Sequence, residues 1–394
     1  MTRLAPLLFP LAFLAPALSG YAQTAAMDPS STRTVEVLYV QQNANILTYD
    51  VNPQTAEATE AGQPLVLNTS TGNVAVVPAP KDHFLNVLWV DGMNREHLWV
   101  YATDASGVPQ SQPVQKLGVS SVLRFQADPN GKFDYALGRW TNSNGEWVES
   151  IRLFAVDSST GKLTESPHVQ ASYGPNYYFT AGFFGFNESG SKLYDTWNVD
   201  FDGEASSAYY ARTVDPTTGT LGRNVKFFTW DDWLSSDQVL LTNNLIIDLS
   251  RPFGAPQPQS INVYPLVNNP KTPLILCNTA MLAGCGTTSG IAVDPSGQYL
   301  FLSQNSYLNS SNITQVVKID LPSKQILDTG YSIPGSPQIY FSQDGLLVYA
   351  VNWSDNGGSS TIQIYHFDKA NGGLTQGGQI SQPFLNGIYP AARE

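Results

Sequence analysis

Four histidines, His83, His97, His168 and His366, are the side chains whose ordinary titration falls near neutral pH. His97 stands in the run Arg95-Glu96-His97 at the end of a loop, where an imidazole flanked by charge has the makings of a general base. It forms, with Arg139, the candidate catalytic pair. His366 lies in an alternating strand and His168 follows Ser166-Pro167, so both read as structural. A second chemistry is stacking. Trp89-Val-Asp91, Arg139-Trp140-Thr-Asn142, Trp197-Asn198-Val-Asp200, Asn305-Ser-Tyr307 and Asn352-Trp353-Ser-Asp355 each set a ring among polar groups. Rings beside amides and carboxylates suit a polar, ring-shaped ligand such as a sugar. The candidate binding residues are therefore Trp140, Trp197, Asn198, Trp353 and Asp355, with Arg139, Asn198 and Asp355 setting orientation. The competing reading packs those rings into the interior.

Other chemistries find little support. Asp200-Phe-Asp202-Gly203-Glu204 alternates carboxylates before a glycine, but the 12-residue calcium loop with its closing glutamate is missing. It reads as a hairpin loop, and no metal is expected. Cys277 and Cys285, the two cysteines, make a poor zinc site and are expected to form a disulfide worth roughly 2–3 kcal/mol, with two separate thiols as the alternative. There is no Gly-x-Ser-x-Gly elbow, zinc-protease histidine pair or phosphate-binding glycine loop, and no cofactor is expected.

Compartment and partners follow from the ends and the charge. Arg3 precedes an apolar run from Leu4 to Leu18, broken by Pro6, Pro10 and Pro16, and Ser19-Gly20-Tyr21-Ala22 offers a cleavage site after Ala22. Residues 1–22 thus read as a secretory signal, 23–34 as a linker and 35–394 as one folded unit. The protein is expected to be exported to the periplasm or the exterior, with no membrane insertion after cleavage. A net charge of −12 argues against nucleic acid and anionic membranes as partners. A small polar ligand, a carbohydrate or a protein partner remains.

The elements that must position these residues are strands. Charged residues make up 13% of the chain against 11% aromatics, with 32 Gly and 26 Pro, a composition of short strands and turns. Four stretches share one hairpin grammar: Leu123 to Tyr135 around Asp128-Pro-Asn-Gly131, Phe183 to Tyr194 around Asn187-Glu-Ser-Gly190, Ile291 to Phe301 around Asp294-Pro-Ser-Gly297, and Ile339 to Tyr349 around Ser342-Gln-Asp-Gly345. Asp, Asn or Ser opens each turn, and Gly at its fourth position accepts positive φ. A second signature follows each hairpin, clearest in Asp157-Ser-Ser-Thr-Gly161, Asp215-Pro-Thr-Thr-Gly219 and Asp368-Lys-Ala-Asn-Gly372, weaker at Asp50, Asp104 and Asp320, with Val263-Tyr-Pro265 marking the remaining copy. These positions recur about every 53 residues, which divides the chain into seven four-stranded units, the mark of a β-propeller. Asn243-Asn244, between Leu241 and Leu245, fills the gap in the first series. Val35 to Val40 reads as a second strand with no first strand before it, and Leu385 to Ala392 resembles the missing one. The expected fold is all-β: a single seven-bladed propeller whose first blade is closed by the C-terminal strand.

The paired signatures Asp294-Pro-Ser-Gly297 with Tyr299-Leu-Phe301 and Asp157-Ser-Ser-Thr-Gly161-Lys-Leu163 resemble those of secreted bacterial propellers of the lactonase-type, 6-phosphogluconolactonase-like family. The resemblance covers nearly the whole chain after the signal. It implies the propeller fold and raises a sugar-lactone hydrolase, using basic and acidic side chains near the central channel, as the alternative to a binding protein. A protein-interaction scaffold is the third reading.

Overall fold

The computed structural model describes residues 36–67, 74–79, 83–91, 95–119, 122–141, 145, 147–173, 177–178, 184–187, 189–201, 204–230, 234–242, 245–252, 260–265, 273–278, 288–304, 312–354 and 358–392. They form strands without a helix, so none of them makes a helix long and apolar enough to cross a membrane. The strands build seven antiparallel sheets, the blades of a propeller. Blade 1 contains β1 (Glu36–Gln42), β2 (Asn45–Val51) and β3 (Ala58–Val66), and blade 2 β4 (Val74–Pro78), β5 (Phe84–Val90), β6 (Glu96–Ala102) and β7 (Gln115–Val119). Blade 3 runs β8 (Val122–Ala127), β9 (Phe133–Thr141) and β10 (Trp147–Val156), with an outer strand split into β11 (Leu163–Glu165) and β12 (Ala171–Tyr173). In blade 4 the inner strand is split, β13 (Tyr177–Tyr178) and β14 (Phe184–Phe186) both pairing with β15 (Lys192–Phe201), followed by β16 (Glu204–Thr213) and β17 (Val225–Trp230). Blade 5 holds β18 (Leu234–Leu241), β19 (Leu245–Pro252), β20 (Ser260–Pro265) and β21 (Ile275–Asn278). Blade 6 holds β22 (Thr288–Val293), β23 (Tyr299–Gln304), β24 (Ile313–Asp320) and β25 (Gln325–Pro334). Blade 7 holds β26 (Gln338–Phe341), β27 (Leu347–Asn352), β28 (Ser359–Asp368) and β29 (Gly373–Pro383).

The chain then returns to its start. β30 (Leu385–Ala392) pairs antiparallel with β1, Gly387 opposite Gln41 and Ala392 opposite Glu36, and becomes the inner strand of blade 1. This is the closure expected from the sequence, and it pairs two strand edges that would otherwise stand open.

The core lies between blades. Strand β27 is buried along Leu347–Val351, because both faces of its sheet press on a neighbouring blade. Outer strand β25, by contrast, is mostly exposed. Leu38, Val40 and Tyr49 of blade 1 pack with Leu347, Val351 and Ile364 of blade 7, and Val317 of blade 6 packs with Ile247 and Val263 of blade 5. Cys277 on β21 is buried in the latter cluster. Cys285 lies outside the described residues, and no cysteine among the described residues is free.

The turns show why the repeat is spelled as it is. In the first hairpin of blades 3, 4, 6 and 7, the glycine N–H donates to the residue opening the turn: Gly131 to Asp128, Gly190 to Asn187, Gly297 to Asp294 and Gly345 to Ser342. All four glycines have φ between 67° and 73°. The buried Asp294 carboxylate accepts the N–H groups of Ser296, Gln298 and Tyr299, stitching its own turn. In the second turn, glycine meets an additional demand. A Cβ on Gly161 of blade 3 would lie 2.3 Å from the Phe84 ring of blade 2, and one on Gly219 of blade 4 would lie 2.6 Å from Phe133 of blade 3. Each such glycine is where one blade rests on the ring of the preceding blade. The weaker copies put Ala56 (φ 54°) and Lys324 (φ 56°) at the same left-handed turn position.

Candidate functional site

In a four-stranded antiparallel blade, the hairpin between second and third strands and the crossing to the next blade lie at the same end. Contacts confirm that shared face: Glu96 on blade 2 accepts the N–H of Val122, the first residue of blade 3, and Gln42 on blade 1 donates to the carbonyl of Pro383 at the end of blade 7. Two chemically distinct sectors occupy it.

The first sector is on blade 2. The hairpin joining β5 to β6 places Asp91 before its turn and Arg95 after it, with Asp91 N–H donating to the Arg95 carbonyl at 2.9 Å. Asp91 Oδ1 accepts the Arg95 backbone N–H at 2.9 Å, and Oδ2 accepts Arg95 Nε at 2.8 Å. His97 Nε2 lies 3.2 Å from the same Oδ2. His97 therefore has the orienting carboxylate that a base requires, six residues earlier in the chain. It stands on β6, opposite Trp89, and not at a loop end as the sequence suggested. The imidazole stacks on the Trp89 ring at 4.4 Å, and Trp99 meets Trp89 edge-on at 4.9 Å, with Lys116 Nζ over the Trp99 ring. Burial raises the Glu96 carboxyl to about 7, although the Val122 N–H pulls it the other way.

The second sector spans blades 6, 7 and 1. Trp353, directly after β27, is 37% exposed, and its Nε1–H donates to Gln338 Oε1 at 3.0 Å. Ser336 Oγ bonds the Gln304 carbonyl and Asn312 Oδ1, while Gln304 Nε2 donates to Gln315 Oε1 at 3.1 Å. Across the seam, Gln42 Nε2 donates to Gln382 Oε1, and Asn43 N–H to Asn386 Oδ1 at 2.7 Å. Among the described residues in 41–45, 303–304, 312–315, 332–338, 352–354, 358–363 and 379–387 there is no Asp, Glu, Lys, Arg or His.

The remaining expected site residues fall differently. Arg139 and Trp140 lie on β9, and Trp197 and Asn198 on β15, all paired in strands where the sequence placed them in loops. The reason is length: β9 and β15 run 9 and 10 residues, so the blades extend past the positions where the turn was expected. Trp89 and Asn352 likewise belong to β5 and β27. Asn142, Asp355 and Asn305-Ser-Tyr307 lie outside the described residues. Asp200 and Phe201 end β15 and Glu204 opens β16, a hairpin, and no group of three or more metal-ligating side chains occurs among the described residues. Arg124, on inner strand β8, was not singled out from the sequence; burial pushes its guanidinium downward. In the sequence Asp91 stands out only as a neighbour of Trp89, yet an acid six residues before a histidine across a short hairpin is the signal that pairs them.

No family profile and no curated protein sequence matches the chain. Solved structures do. Apo prolyl oligopeptidase B from Galerina marginata aligns with a TM-score of 0.53 at 10% identity, over 96% of this chain and 53% of that one. The β-propeller domain of the Trilobed protease from Pyrococcus furiosus gives 0.43 at 13% identity, over 80% of this chain and 86% of that one. TolB from Acinetobacter baumannii gives 0.39 at 11%, over 92% and 67%. The chain spans about half the length of the prolyl oligopeptidase chain it matches. The lactonase-type family is not among what these comparisons show; at such identities a likeness bears on the fold alone, and the β-propeller is read from the seven blades of this chain itself.

Proposed function

We propose that this protein is an exported binding propeller that recognises a small polar ligand on its loop-rich face. The observation that carries the reading is Trp353, a ring left exposed while its one polar atom is held by Gln338. A ring fixed in that way offers a flat apolar surface at little cost in side-chain freedom. The decisive experiment is Trp353→Ala in a screen of the purified protein against glycans and lactones. The variant is expected to keep its fold and lose the ligand by about 1–3 kcal/mol; a ligand bound equally well without the ring refutes the reading.

The second reading, hydrolysis of a sugar lactone or related cyclic ester, is favoured by the His97–Asp91 pair. In it, Asp91 fixes the imidazole through Nε2 and His97 Nδ1 draws a proton from water. His97→Ala and Asp91→Asn are then expected to abolish lactone turnover, and a wild type without turnover removes this reading. Export and the Cys277–Cys285 bridge belong to the main proposal. Both are checked by intact mass of the exported protein with and without alkylation, expecting a chain that starts at Gln23 and takes up no label.

A further inference from the structure

We propose that the sector spanning blades 6, 7 and 1 is a binding site for a neutral saccharide, with Trp353 and Phe384 as its two stacking surfaces; this rests on the binding reading above. Phe384 is the single residue between β29 and β30, where the outer strand of blade 7 crosses to the inner strand of blade 1. Its φ is 53°, in the left-handed region that a bulky side chain enters at a cost, and its ring is 54% exposed. Glycine at that point would be unstrained. A strained backbone that holds a large apolar ring out in water is unfavourable twice over, and such strain is characteristic of binding and catalytic sites. Trp353 stands on the same edge of blade 7, after the second strand as Phe384 follows the fourth, and its hydrogen bond to Gln338 keeps the ring outward. Two rings are thus exposed by their bonded surroundings.

The polar groups beside them define the ligand class. Gln42 and Asn43 of blade 1, Gln382 of blade 7 and Asn386 of the crossing strand are amides; Gln42 gives its N–H groups to Gln382 and Pro383, which leaves its oxygen as an acceptor, while the Asn43 side chain and Asn386 Nδ2 supply donors. A saccharide ring presents hydroxyls at its rim and C–H groups on its faces, which amides and aromatic rings match respectively. An anionic ligand would lose water here without meeting a Lys, Arg or His among the described residues of the sector. A charged sector of the same face stands on blade 2, at Asp91, Arg95, Glu96 and His97.

The test is calorimetry on the full chain after the signal, with cellohexaose, maltohexaose, mannohexaose and hexagalacturonate as probes, on wild type and Phe384→Gly. At least one neutral hexaose is expected to bind, with the uronate weaker. Phe384→Gly should weaken binding about tenfold or more, as loss of an anchoring ring does, while its melting temperature stays level or rises because the strain is gone. A neutral probe that binds Phe384→Gly as tightly as wild type overturns this assignment and leaves the binding reading standing. So does preference for the uronate. A variant that loses melting temperature together with affinity makes Phe384 a packing residue and overturns its role as a stacking surface. A wild type that binds no neutral probe overturns the saccharide site, and if Trp353→Ala is also silent across the wider screen, the binding reading falls with it.

Discussion

Gly161→Ala is the sharpest probe of how the blades are joined. Gly161 sits at φ 68° with its would-be Cβ 2.3 Å from Phe84 Cδ1 and 2.5 Å from Cγ. Alanine in left-handed backbone costs about 1–2 kcal/mol, and forcing a methyl against a packed ring adds about 1–3 kcal/mol. The methyl also restricts the unfolded chain, which returns about 0.4–1 kcal/mol. The net expectation is a loss of about 1–5 kcal/mol. Gly330→Ala is the matched control, because Gly330 has φ 79° and nothing within 4 Å of the added Cβ. It should show the backbone strain alone, about 1.5 kcal/mol or less after the unfolded-state gain. Urea unfolding of the two variants beside wild type measures both, and the difference between them isolates the contact between blades 2 and 3. Equal losses would refute the reasoning, since the ring of Phe84 would then exert no pressure at that turn. A Phe84→Ala background should erase the difference, a double-mutant check on the same contact.

Other expectations follow from the same geometry. Lys324, exposed and at φ 56° where the clear repeats carry glycine, should stabilise the protein when replaced: Lys324→Gly is expected to gain about 0.5–1 kcal/mol by urea unfolding. Removing residues 385–394 takes away the inner strand of blade 1 and opens the ring, so a steep fall in melting temperature is expected, and an unchanged one contradicts closure by β30. The Glu96 carboxyl titrates near 7 in the fold against 4.5 as its ordinary value. Its folded form therefore holds a proton more tightly than its unfolded form, and its contribution to stability is full below 4.5 and is lost as pH rises through about 7. Glu96→Gln should flatten that part of the stability profile, and a profile identical to wild type across the window would show that Glu96 is not the group responsible.

Fold and site were legible to different degrees. Residues such as Asp294 and Gly297 act on their own backbone within a few positions, so turn type, strand pairing and the sevenfold repeat can be read from residue types at set spacings. Val263-Tyr-Pro265 and Asn243-Asn244, faint as motifs, were found by period alone and mark β20 and the β18–β19 turn. The ring closure followed from an unpaired strand at each end. Strand lengths at the loop-rich face were not legible, because β9 and β15 continue through Trp140 and Trp197 without any change in residue type that marks the turn.

What the sequence by itself determined is thus the local part: seven repeats, their hairpins and the C-terminal strand that completes the first blade. Only the tertiary structure decided which side chains meet and which face water. Phe84 lies under Gly161, 77 positions away, because one blade stacks on the next. His97 reaches Asp91 because the β5–β6 register brings both to one side of the hairpin, and a shift of a single residue would turn them to opposite faces. Trp353 and Phe384 are exposed in settings no spacing records, a bond from the indole N–H to Gln338 and a left-handed backbone at a one-residue crossing. Turn chemistry acts over four residues and is written in their types, whereas the surroundings of a side chain depend on register and on the neighbouring blade, which exist only once the ring has closed.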